Sequence, residues 1–231
     1  LADLERALAG DPAFDPASAR RRFVISTTDY GEVAVMPIVM AHLARVAPGI
    51  DIEVVPPGAD VTERLERGTV DALIGPGLPG LPAATRRRPL ITEGFAVALR
   101  LGHPARRRWS LARYLALGHI LLAPRGTRGS IVDDLLAAKG HERRIVVRMP
   151  SFASAPSVVA ATDLCLTAPA GLLAAAMRTI PLVVVAPPLV IPELTTYVYW
   201  HERVDADPGH RWFREMLVER GGAALRGARR A

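Results

Sequence analysis

Cysteine, lysine and aromatic residues are scarce in this chain. Cys165 is the single cysteine, which excludes an internal disulfide and any cysteine metal cluster. It sits in the apolar stretch Asp163-Leu164-Cys165-Leu166, so a buried, inert thiol is expected rather than a nucleophile. That usage suits a reducing compartment. Lys139 is the single lysine, and Gly126-Thr127-Arg128-Gly129 lacks the lysine of a phosphate-binding loop. Aromatic residues make up 5% of the 231 positions and rarely interleave with the arginines, so no stacking platform for single-stranded nucleic acid is visible. No apolar run reaches membrane-spanning length, and the first residues lack the charged-then-apolar layout of a signal peptide. There is no Gly-x-Ser-x-Gly elbow and no metal-ligand spacing among the six histidines. The expectation is a protein that is not an enzyme, with no cofactor and no metal.

What is present is apolar and basic. Hydrophobic residues make up 50% of the chain and charged residues 23%, with a net charge of +6. That content supports a large core, as one domain or two modest lobes. The arginines fall in short runs at 20–22, 86–88, 106–108 and 229–230. Most of these are expected in loops, as solvated surface charge.

The stretch Phe23-Val24-Ile25-Ser26-Thr27-Thr28-Asp29-Tyr30-Gly31-Glu32 organises the rest. Its apolar, partly β-branched start predicts a covered strand. Asp29 and Glu32 have capping-box spacing, so a helix is expected to follow at once. Past the carboxyl end of a strand in an open α/β sheet is where ligands gather. Helix-start amides and the hydroxyls of Thr27 and Thr28 would favour an anion there.

Helical spacing then runs from Val35 to Val46, with Pro37 expected to kink or tighten its first turns, and Pro48-Gly49 stops it. Strand 50–55, a helix from Asp60 to Gly68 with Glu63 at the box position, and strand 70–75 complete a β-α-β-α-β pattern. Strand 93–100 follows. A second α/β set starts afresh with strands 119–123, 144–149, 164–167 and 182–186 and helices between them. Strand 195–200 and an amphipathic helix from Asp207 to about Leu225 end the chain. The predicted fold class is α/β, two Rossmann-like lobes joined by two crossover strands. Residues 1–22 are expected to be the end of a linker helix and a linker. Lobe I covers 23–100 plus 195–231, and the inserted lobe II covers 101–194. Two crossings make a hinged pair with a cleft between them.

Several stretches in this order resemble LysR-type transcriptional regulators. They are Thr28-Asp29-Tyr30-Gly31-Glu32 through Met36-Pro37, Leu65-Glu66-Arg67-Gly68 through Gly75, Arg100-Leu101-Gly102-His103-Pro104, Arg144 through Phe152 and Ala161-Thr162-Asp163-Leu164. The ending Trp200-His201-Glu202-Arg203 through Asp207-Pro208-Gly209-His210-Arg211-Trp212 is similar to the branch that answers aromatic and related inducers, the nodulation and salicylate-type regulators. The resemblance covers about residues 1–225. It implies a type 2 periplasmic-binding-protein-like effector domain, clasping a small, aromatic or carboxylate co-inducer between its lobes. It implies a homodimer or tetramer in the cytoplasm, off the membrane, touching DNA only through an N-terminal winged helix-turn-helix that these residues lack. A stand-alone or extracytoplasmic binding protein of the same fold is the alternative, and it needs an export signal.

The resemblance sets Thr27 and Thr28 at the turn that meets the effector, with Asp29 kept as a cap. Ser151 and Phe152 follow a strand of the inserted lobe and would face that turn, Ser151 with a hydroxyl and Phe152 either as an aromatic wall or as a core residue. His119 begins a strand beneath the cleft, as a structural histidine or an effector contact. Alternation puts Tyr199 on one face of its strand and Trp200 on the other, with Tyr199 as the wall residue. Arg125 or Arg128 could pair a carboxylate bidentately, or lie in an exposed loop.

Overall fold

The computed structural model describes residues 14–124 and 129–222. The expected linker helix over residues 1–9, the loop 125–128 and the tail past 222 lie outside them. The chain forms two five-stranded sheets, each covered by helices.

The first sheet is built where β-branched runs were expected. Strands β1 (Arg21–Ser26), β2 (Ile50–Val55) and β3 (Ala72–Pro76) run parallel, with β1 between the other two. Two more strands complete the order β2-β1-β3-β10-β4: β4 (Thr85–Glu93) and β10 (Leu194–His201), which is antiparallel to both β3 and β4. The sequence pattern missed β4. It is an edge strand whose Arg86, Arg87, Arg88 and Pro89 are exposed, so it carries no apolar alternation, and an edge tolerates its proline. The arginine run expected in a loop therefore lies on a strand. Arg86 pairs with Glu202, and Arg87 lies over the Tyr197 ring at 4.5 Å.

The single helix expected to follow Asp29 and run on to Val46 is two helices, α1 (Asp29–Ala34) and α2 (Met36–Val46), broken at the buried Val35. Pro37 falls in the first turn of α2, where a missing N–H costs nothing, and so starts a helix rather than kinking one. Helix α3 (Val61–Arg67) ends at Gly68, whose φ of 73° is left-handed. The box expected between Asp60 and Glu63 does not form, since Asp60 makes no side-chain cap bond.

The second sheet has the order β7-β6-β8-β5-β9. Its strands are β5 (Phe95–Arg100), β6 (Gly118–Leu122), β7 (Arg144–Met149), β8 (Cys165–Pro169) and β9 (Leu182–Val185). Helices α4 (Leu111–Leu115), α5 (Ile131–Ala137), α6 (Ala155–Ala160) and α7 (Ala170–Ala176) cover it. Ser130 and Asp133 form the expected box at α5. Strand β5 was expected in lobe I, but it pairs with β8 and β9. The first crossing between lobes thus lies at Gly94, and the second runs between Val185 and Leu194.

Helix α8 (Pro208–Met216) returns to the first sheet and passes into a wider turn over Leu217–Gly221. Phe213 stacks on Phe23 of β1, ring centres 4.0 Å apart and 6° from parallel. Both are fully buried in the lobe I core with Val39, Leu43 and Leu217. Each such side chain contributes roughly 1.5–3 kcal/mol through its burial. Among the described residues no helix is long and apolar enough to cross a membrane.

Candidate functional site

The carboxyl ends of β1 and β3 open into a cavity of about 130 Å³ between the lobes. Lobe I supplies Thr27, Thr28 and Tyr30 from the β1–α1 turn, Leu73 and Ile74 from β3, and Thr196 from β10. Lobe II closes it with Phe152 and Pro169. Among the described residues no charged side chain lines it. Residues 125–128 follow the lining residue Pro124 and lie outside the description.

The β1–α1 turn is tightly built. The Thr27 hydroxyl donates to the Ile74 carbonyl at 3.2 Å, so its proton is committed to the scaffold. Gly31 lies against it, and a Cβ there would come within 2.0 Å of Thr27 Oγ1. Thr28 is the N-cap residue of α1 and makes no side-chain cap bond, so its hydroxyl is open to another partner. Ser26, the last residue of β1, is fully buried, and its hydroxyl has no hydrogen-bond partner among the described residues.

Asp29 was expected to cap a helix. It does something else. It lies in the first turn of α1, and its Oδ2 accepts from Ser151 Oγ at 2.7 Å and from the Ala153 N–H at 3.0 Å, both in lobe II. Ser151 is thereby committed to a neighbour in the chain. Phe152, between these two contacts, faces the Tyr30 ring at 6.0 Å and 24°.

Sequence reasoning also missed Glu93, at the end of β4. It is fully buried. Its Oε1 accepts from the Tyr30 hydroxyl at 2.6 Å, and its Oε2 accepts from the Gly171 N–H at 2.6 Å, in the first turn of α7. Burial and then the Glu93 charge push the Tyr30 phenol upward from its ordinary pKa, so it stays a donor. An acid closing a nominal strand gives no local sign of this role.

Tyr199, expected as a wall residue, and His119, expected as an effector contact or a structural histidine, both lie away from the cavity lining. Tyr199 is fully buried among Val61, Leu65 and Leu73. Its hydroxyl donates to the Pro76 carbonyl at 2.8 Å and accepts from the Leu78 N–H at 3.1 Å, so it fixes a loop that lines the cavity without lining it itself. His119 is fully buried inside lobe II. Its Nε2 lies 2.9 Å from the Tyr114 carbonyl and its Nδ1 3.1 Å from Cys165 Sγ. Burial, then the charge of Arg143, lowers its pKa to about 4. The neighbouring Cys165 thiol is pushed up to about 12 by burial. Neither arrangement reaches the cleft.

The chain matches the LysR substrate binding domain over residues 16–222. It belongs to the LysR family of transcriptional regulators. It is 30% identical over 218 residues to the HTH-type transcriptional activator NahR of Pseudomonas putida, covering 94% of this chain and 72% of that protein. It is 31% identical over 221 residues to nodulation protein D 2 of Rhizobium tropici, covering 95% of this chain and 70% of that one. The crystal structure of the regulatory domain of MexT, a transcriptional activator in Pseudomonas aeruginosa, shares the fold at a TM-score of 0.78 and 24% identity, covering 88% of this chain and 99% of that one. The two sheets are thus the lobes of a LysR effector-binding domain of type 2 periplasmic-binding-protein-like fold. The lone LysR motifs in the sequence were each weak, but the order of them was informative.

Proposed function

We propose that this LysR regulatory domain senses a small, largely apolar effector, about one aromatic ring in size, and passes the resulting change in lobe arrangement to operator binding. The cavity at the junction of the lobes, lined among the described residues by apolar and hydroxyl side chains, carries this reading. Engineered apolar cavities of about 150 Å³ accept benzene, which sets the scale. Thr28 supplies an open hydroxyl, Phe152 a ring face, and Thr196 a second hydroxyl at the rim. Binding shifts the lobes only as far as the effector prefers one arrangement over the other.

The family acts on DNA as oligomers. Val33, Ile38 and Met40 project from α1 and α2 into solvent, and a dimer contact there would cover them. Sedimentation that finds only monomer at high concentration removes that part of the reading. No catalysis is part of it, and a cytoplasmic setting accords with work on an operator.

Thermal shift with benzoate and phenol tests the site. A ligand at one hundred times its Kd adds about 2.7 kcal/mol to stability. The wild-type chain is expected to gain, and Thr28→Val and Phe152→Ala to gain clearly less. Equal gains in all three chains remove the site from the cleft.

A further inference from the structure

We propose that Asp29 is the positioning residue of this effector site: acting from lobe I, it holds the lobe II turn that carries Phe152 over the cavity. The residue itself does not line the cavity. Its carboxylate instead takes the Ser151 hydroxyl and the Ala153 amide, the groups on either side of Phe152. Ser151 Oγ also accepts from the Ser154 N–H at 3.1 Å, so the turn is knit to itself and to the other lobe through one side chain. Hydrogen bonds to an ionised acceptor are about twice as strong as neutral ones.

The facing ring is held separately. Tyr30 follows Asp29 in α1, and its hydroxyl is tied to Glu93 at the crossing between lobes. One helix turn therefore sets both aromatic faces, Tyr30 through Glu93 and Phe152 through Asp29. The two rings lie against each other at 6.0 Å and together form part of the cavity wall. Loss of the Asp29 contact frees the lobe II ring while leaving the lobe I ring in place.

Two measurements test the proposal, and the first needs no ligand. Hydrogen exchange on the ligand-free full chain reads the amide of Ala153 directly. Asp29→Ala is expected to speed exchange there by about tenfold or more, with Ser151→Ala giving a smaller rise. Asp29→Asn keeps an acceptor oxygen and is expected to retain most of the protection. Unchanged exchange in Asp29→Ala overturns the proposal, whatever binds in the cleft. The second rests on the proposed function and uses calorimetry with benzoate and phenol. Asp29→Ala is expected to weaken whichever probe binds by about tenfold in the wild-type background and by less than about twofold in Phe152→Ala, because coupled residues are not additive. An equal loss in both backgrounds means that Asp29 does not act through Phe152 and overturns the proposal. Should neither probe bind, the reading of the cavity fails, and the exchange experiment still decides the role of Asp29.

Discussion

Tyr30 and Glu93 meet where the chain leaves the first sheet for the second, with the phenol donating to a carboxylate oxygen at 2.6 Å. The other oxygen takes the Gly171 amide at the same distance. Tyr30→Phe removes one of two partners from a fully buried acid. A stability loss of about 2–3 kcal/mol is expected, since hydrogen bonds to charged groups exceed neutral ones. Urea unfolding at neutral pH checks it. Glu93→Gln keeps an acceptor for one donor and is expected to lose less. A Tyr30→Phe chain as stable as wild type would show that the acid finds another partner.

Gly31 is held by contact rather than by backbone angle. Its absent Cβ would stand 2.0 Å from Thr27 Oγ1. Gly31→Ala must push that hydroxyl off the Ile74 carbonyl, at a cost of roughly 1–3 kcal/mol. The cost is expected to shrink when Thr27 is also changed to Ala, because Oγ1 and Cγ2 are gone. Chemical denaturation of the two single variants and the double variant measures the coupling.

His119 gives the domain an acid sensitivity. Its folded pKa of about 4 lies below the ordinary 6.5 because burial disfavours the imidazolium. The unfolded chain then binds the proton first as pH falls. Stability is complete above about 6.5 and declines between there and about 4, by on the order of 3 kcal/mol from this residue alone. Unfolding curves across that window are expected to flatten in His119→Gln. A slope identical to wild type would assign the acid sensitivity to other groups.

Ser26 is the opposite case, a buried hydroxyl without a partner among the described residues. Ser26→Ala removes an unsatisfied polar atom, so stability is expected to hold or to rise by up to about 1 kcal/mol. A clear fall in melting temperature would reveal a partner for that oxygen.

How much of this was legible depended on where each residue's partner lies. Strands β1, β2 and β3 announced themselves through apolar, partly β-branched residues, of which Phe23, Ile25, Ile50, Leu73 and Ile74 are buried. β4 did not, since an exposed edge strand of arginines has no apolar pattern to show. Asp29 was misassigned for a related reason. Its spacing to Glu32 is local and visible, whereas Ser151 lies 122 positions on. Alternation alone points Tyr199 at the cleft, and the family position leaves His119 open between a structural role and an effector contact, but their surroundings are set by the Pro76–Leu78 loop and by Tyr114 with Cys165. The broken helix at Val35 followed from Pro37, whose preference for a first turn outweighed the continuous apolar spacing.

The placement of β10 bears on how the molecule is made. That strand sits inside the first sheet, between β3 and β4, yet it is the last strand to leave the ribosome. The second sheet has all five of its strands once residue 185 has emerged. The inserted half can thus mature on the nascent chain while the half that was begun first still waits with a gap in its middle.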